Sequence, residues 1–159
     1  MAGSSPENEL EELGSRLMAA RDRLRSMPAG PPERLGPPDE KTGEQWDRGN
    51  VLGHVAEMLP YWSRRIRESL KGAPLGRPPG ETERARGIES GRLLREEELR
   101  HRIERGVEEA LGLLSELRQA DLDREIPHRA EGSLTVRKAL DRYLVGHLEE
   151  HLGQLAALN

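Results

Sequence analysis

The chain has no cysteine. Disulfides, thiolate metal ligands and a cysteine nucleophile are therefore excluded, and any thiol chemistry must come from a bound small molecule. Phenylalanine is also absent and only two Trp and two Tyr are present, so leucine must supply most of the core. A hydrophobic share of 34% against a charged share of 34% suits long amphipathic helices, which use apolar residues economically. No run approaches the roughly 20 apolar residues of a membrane span, and the first seven residues lack the basic start and apolar centre of a signal sequence. The expected location is cytoplasmic. Nor is there a block of one charge sign: 25 Lys and Arg are interleaved with 29 Asp and Glu. That distribution gives no footprint for nucleic acid.

What is present is a series of helix signals. Ser5 followed by Pro6 is a start signal, because Ser accepts a free backbone N–H and Pro loses nothing at the first helical position. Leu10, Leu13, Leu17, Ala20, Leu24 and Met27 then alternate steps of three and four, predicting a first helix that ends before Pro28. From Pro28 to Gln45, five prolines and three glycines preclude a helix and predict a long, stiff crossover. Asp47 is placed to cap a second helix, with Trp46 packing on Val51 as a hydrophobic staple. Val51, Val55, Met58, Leu59, Trp62, Ile66 and Leu70 form its stripe, and Pro60 inside it predicts a tolerated kink.

Gly72 to Gly80 breaks that helix. Residues 81–90 suggest a short helix weakened by Gly87 and Gly91. Glu96, Glu97 and Glu98 suit the first turn of a third long helix, with Leu99, Ile103, Val107, Ala110, Leu114 and Leu117 as its stripe. Gln119 to Gly132 is polar and reads as a loop. Ser133 or Thr135 can cap a fourth long helix from about Val136 to Leu158. No segment has the period of a strand. The prediction is an all-α fold, a four-helix bundle forming a single domain over residues 1–159.

Histidines carry the chemistry. His147 and His151 fall on the apolar stripe of the fourth helix, and His54 stands at the edge of the inward stripe of the second. A buried imidazole without a partner costs on the order of 1–3 kcal/mol, and a metal ion would satisfy this group. An i, i+4 pair plus one histidine from a facing helix gives three protein ligands with coordination positions left open, the pattern of a catalytic site. These donors suit a divalent zinc or nickel ion, and also iron or manganese. Glu57 and Gln154 each stand three residues from one of these histidines and are placed to orient an imidazole or bound water. His101 lies off its stripe and reads as solvated, and His128 as an exposed loop histidine. Arg64, Arg65, Arg84 and Arg86 are candidates to hold an anionic ligand. His147-Leu148-Glu149-Glu150-His151 also matches the H-x-x-E-H pattern of zinc peptidases, but Glu150 lies about 100° around the helix from His151 and reads as solvated.

Trp46, seven residues, then His54 within Asn50-Val51-Leu52-Gly53-His54-Val55-Ala56-Glu57, followed by Gly132-Ser133-Leu134-Thr135-Val136 and by His147-x-x-x-His151-x-x-Gln154, resembles the DinB-like family of damage-inducible and thiol-transferase proteins. The resemblance runs from about Leu10 to Leu158 and lies in the order and spacing of short motifs. It implies an up-down-down-up four-helix bundle, frequently dimeric, with a divalent metal held by three histidines, which here would be His54, His147 and His151. It also implies a relation to the metal-binding domain of mycothiol-dependent maleylpyruvate isomerases and to bacillithiol or glutathione transferases. The sequence departs from the family pattern in Asp47, where Ser or Thr often follows the Trp, in Pro60, and in having no second domain. These departures leave the metal site intact and bear on the thiol cosubstrate.

The expectation is thus a metal-binding protein, acting as a transferase or hydrolase that activates water or a low-molecular-weight thiol for attack on an electrophilic small-molecule substrate. Its rival is a non-catalytic helical interaction protein with a structural or vestigial metal site. A leucine-rich edge suggests a homodimer. Metal binding is expected to weaken below about pH 6 as imidazoles protonate.

Overall fold

Leucines at helical spacing wind the first element, α1 (Glu9–Ser26), and its Leu13, Leu17, Ala20 and Leu24 are buried. The computed structural model describes residues 8–159, so the Ser5-Pro6 start signal lies outside the described residues. Beyond Met27 no regular element forms until α2 (Arg48–Leu70), as five prolines in the intervening segment require. Asp47 caps α2 reciprocally: its carboxylate accepts from the Asn50 N–H at 2.8 Å, and the Asn50 side chain accepts from the Asp47 N–H at 3.1 Å. Pro60 sits within the helix.

A short helix, α3 (Glu83–Leu93), packs tightly on α2. Its glycines are the reason. A Cβ added at Gly91 would lie 1.8 Å from the Gly49 carbonyl oxygen, and one at Gly53 would lie 2.3 Å from the Gly87 oxygen. Two glycines four residues apart on each helix thus bring the backbones into contact. Read from sequence as a weakness in α3, Gly87 and Gly91 are its docking surface. The side chain of Asn50 adds a bond from its Nδ2 to the Ile88 carbonyl at 3.0 Å.

The third long helix, α4 (Glu96–Glu116), buries Leu99, Ile103, Val107, Ala110 and Leu114 as its spacing predicts, together with Leu113. It packs against α1 and α2. Gly106 permits the approach to α2, since a Cβ there would meet that of Leu59 at 2.7 Å.

The polar stretch after α4 is not a plain loop. A 3-10 turn, Gln119–Asp123, leads into an antiparallel hairpin of β1 (Glu125–His128) and β2 (Gly132–Thr135), pairing Ile126 with Leu134. The fold is mostly helical with this small sheet, and the all-α expectation is corrected to that extent. Four-residue strands, one of them containing Pro127, are too short to display a period of two. Buried Ile126 and Leu134 pin the hairpin to the core, and Gly132 (φ 76°) takes the left-handed conformation that closes the turn. Leu75, just beyond α2, extends the contact: its N–H donates to the Pro127 carbonyl at 2.8 Å and its carbonyl accepts from the Arg129 N–H at 2.9 Å.

The last helical stretch also differs from a uniform helix. Thr135 caps α5 (Val136–Leu140), its hydroxyl accepting from the Lys138 N–H. The chain then widens into a π-helical turn at Asp141–Val145 before α6 (Gly146–Ala156). α6 contacts both α1 and α2. No helix among the described residues is long and apolar enough to cross a membrane.

One polar cluster is built into this core. The side chain of Arg48, 1% exposed, donates to Glu96, to the Asn159 side chain at 2.6 Å and to the Pro28 carbonyl at 2.9 Å. Glu96 also accepts from Arg100, which reaches the Leu24 and Met27 carbonyls. The start of α2, the start of α4, the end of α1 and Asn159 are thereby joined through Arg48 and the Glu96 carboxylate that it shares with Arg100.

Candidate metal centre

Three histidines predicted to face inward come together. His54 is carried by α2 and is 4% exposed, while His147 and His151 stand one turn apart on α6, half-buried. His147 Nε2 lies 3.3 Å from His54 Nε2 and 3.0 Å from His151 Nε2. One ligand atom from each histidine falls within 4.8 Å of the others.

The outer nitrogens decide where the protons sit. Gln154 Oε1 is 2.8 Å from His151 Nδ1 and can only accept there, so Nδ1 carries the proton and Nε2 presents a lone pair. His54 Nδ1 faces the Glu57 carboxylate at 3.7 Å, longer than a hydrogen bond, and has no other partner among the described residues. A proton on that nitrogen, toward the carboxylate, again leaves an inward lone pair. Both lone pairs then point at His147 Nε2, which has a single in-plane position for either a proton or a lone pair. It can bond one neighbour and not both. A cation at the centre satisfies all three nitrogens, so the donor set fits a divalent metal, and imidazoles held by outer acceptors are the usual form of such ligands.

Their electrostatics favour the neutral form that a metal requires. Burial, followed by the proximity of the other two histidines, lowers the His54 pKa from 6.5 to about 2. Burial and His151 lower that of His147 to about 4. His151 is also lowered by burial, against the opposing effect of its bond to Gln154. Arg84 contributes in the same direction to all three. At His54 and His147 proton competition with a metal is therefore carried below the range of an ordinary imidazole. Burial pushes the Glu57 carboxyl up, although Arg77 opposes this through two bonds of 2.8 and 2.9 Å.

The three histidines line a cleft of about 780 Å³. Trp46, Trp62 and Tyr143 supply aromatic wall, and Arg77, Arg84 and Arg142 stand around it. Trp46, assigned from sequence to a staple at the start of α2, has its ring 5.0 Å from that of His54 and 5.8 Å from that of His151. Of the four arginines proposed as anion ligands, Arg84 alone lines the cleft, and it already bonds Glu44. Arg64 and Arg65 pair with Glu83 and Glu68. Glu150 is exposed on the cleft wall, and His101 is exposed on α4, as expected.

His128 was not legible as a positioned residue. It lies on β1, and its Nε2 is 2.6 Å from the Tyr143 hydroxyl. Tyr143 precedes His147 by four residues, the one sequence signal that places it toward the same cleft. Arg77 and Trp62 carried no such signal: Arg77 follows a glycine- and proline-rich turn, and Trp62 reads as ordinary core.

A family model described as the DinB superfamily matches residues 16–155. No curated protein and no solved structure matches the chain.

Proposed function

This chain belongs to the DinB superfamily, and we propose that it is a metal-dependent enzyme in which His54, His147 and His151 hold a divalent ion. The observation that carries the reading is the meeting of three Nε2 atoms of which one cannot bond both neighbours. Zinc or nickel is the first candidate for the ion, with iron or manganese next. When bound, the ion supplies a Lewis acid that activates water or a low-molecular-weight thiol for attack on an electrophilic substrate. The chain's own residues prepare the site. Gln154 keeps a proton on the outer nitrogen of His151, Glu57 faces that of His54, and the Trp46 and Trp62 rings line the cleft. The cleft is of a size that takes a small molecule.

An ion that served structure alone would be enclosed, whereas these three histidines line an open cleft, which favours catalysis over a structural or vestigial site. In the same reading the chain is one domain, an up-down-down-up bundle with the proline-rich segment as its crossover, cytoplasmic and homodimeric. Its thiol chemistry would relate it to mycothiol-dependent isomerases and bacillithiol transferases. The test is an assay of the zinc- and nickel-loaded protein with an activated ester for water attack and a halogenated aromatic with a free thiol. Turnover that disappears with His147→Ala supports the reading. Absence of turnover in every metal-loaded preparation supports the interaction protein instead.

A further inference from the structure

Tyr143 stands on the π-helical turn Asp141–Val145, in a chain that is α-helical on either side. Such single wide turns recur at functional sites, because the extra residue re-aims a side chain. Here the re-aimed ring packs on Trp62, with centroids 4.2 Å apart, and lines the same cleft as the three histidines.

The hydroxyl is held from outside the cleft. His128 Nδ1 accepts from the backbone N–H groups of Ala130 and Glu131, each at 3.1 Å. The proton of the imidazole must then be on Nε2, which donates to the Tyr143 oxygen at 2.6 Å. The hydroxyl accepts in that bond, so its own proton is left over. No acceptor for that proton lies within hydrogen-bond distance among the described residues. His128 is itself fixed by the hairpin and by the Leu75 contacts on Pro127 and Arg129. The β-hairpin thus holds an imidazole of defined tautomer against a tyrosine.

We propose that Tyr143 is a ligand-recognising residue, whose hydroxyl donates a hydrogen bond to an oxygen of a small carbonyl- or oxyanion-bearing molecule lying between it and the three histidines, with His128 as its positioning residue. The proposal rests on the metal reading above, since the ion is what would hold the other end of that molecule. The arginines of the cleft are less suited to the task. Arg77 is bonded to Glu57 and Glu81, Arg84 to Glu44, and Arg142 to Glu131 through two contacts of 2.8 Å. The phenol is therefore a donor not already engaged by a carboxylate, and it selects an oxygen acceptor by direction.

Cobalt-loaded protein provides the test, with acetohydroxamate as the probe ligand and the visible spectrum of the cobalt as the readout. Tyr143→Phe keeps the ring on Trp62 and removes only the hydroxyl. It is expected to weaken acetohydroxamate about tenfold, the worth of one hydrogen bond, with cobalt affinity unchanged. His128→Ala, which removes the imidazole's bond to the hydroxyl and leaves the ring on Trp62 and beside Arg142, is expected to weaken it by a smaller factor. Cobalt binding with acetohydroxamate affinity unchanged in Tyr143→Phe overturns the proposal alone. A loss in Tyr143→Phe without one in His128→Ala retains Tyr143 and overturns the positioning role of His128. A wild-type protein that takes up no cobalt overturns the metal reading and this proposal with it.

Discussion

Among the described residues, two of the polar clusters set into the leucine core are built on opposite principles. Around Arg48 each guanidinium nitrogen has an acceptor, and the carboxylate of Glu96 is shared with Arg100. Around His54, nitrogen faces nitrogen, and the contacts of 3.0 and 3.3 Å cannot both be hydrogen bonds. A satisfied buried cluster ties elements together and asks for nothing more. An unsatisfied one costs free energy in the metal-free protein, and it persists where something outside the chain completes it. The first cluster is accordingly structural, and the second is the candidate site.

That contrast can be broken by exchanging what each cluster loses. His147→Leu should abolish high-affinity metal binding, while the metal-free variant folds at least as stably as the wild type, because an unsatisfied polar group is replaced by an apolar one. Titration calorimetry and urea unfolding read the two outcomes separately. A clear loss of metal-free stability would show that the histidines already satisfy one another. Glu96→Ala should behave in the reverse manner, since it leaves Arg48 buried without its counter-charge. A loss of about 3–5 kcal/mol in urea unfolding is expected, with metal still bound by the folded fraction. A stability within about 1 kcal/mol of wild type would contradict the structural role of the cluster.

Acid should separate the clusters next. Folded His147 is lowered to about 4 and His54 to about 2, against 6.5 for an ordinary imidazole. Below 6.5 the unfolded chain binds protons that the folded chain refuses, so stability rises with pH across this interval. The contribution is complete above about 6.5 and is lost progressively as pH falls toward 4. Metal-free wild type should therefore unfold at lower urea at pH 5 than at pH 7, and His147→Leu should show a smaller difference. Equal pH dependence in both proteins would contradict the assignment. The smallest effect is expected at Gln154→Ala, which removes only the acceptor that orients His151. Metal affinity should fall by about tenfold, at the low end for such outer partners, and an unchanged affinity would show that His151 is oriented by packing alone.

Much of this was legible in the sequence. Leucine spacing located α1 and α4, Asp47 marked the start of α2, Ser133 or Thr135 marked the start of the last helical stretch, with Thr135 the one that caps it, and the i, i+4 pair with His54 on a facing helix marked the candidate site. What escaped was set by contacts between segments distant in the chain. Strands of four residues need Ile126 opposite Leu134 to become visible as strands. A single π-helical turn leaves the apolar spacing of Leu140, Leu144 and Leu148 undisturbed, so nothing local distinguishes it from α-helix. Gly87 and Gly91 lower helix propensity when read alone, and become a docking surface only beside Gly49 and Gly53. Arg48, one of 25 basic residues, carries no sign that it will be buried.

The central claim is that the three histidines are completed by an ion. Elemental analysis of protein purified without a histidine tag, on wild type and His151→Ala side by side, tests it most directly. Near-stoichiometric metal in the wild type and its absence from the variant is the predicted result. Wild type that holds no metal after exposure to zinc, nickel and manganese, or a variant that retains it, would contradict the account.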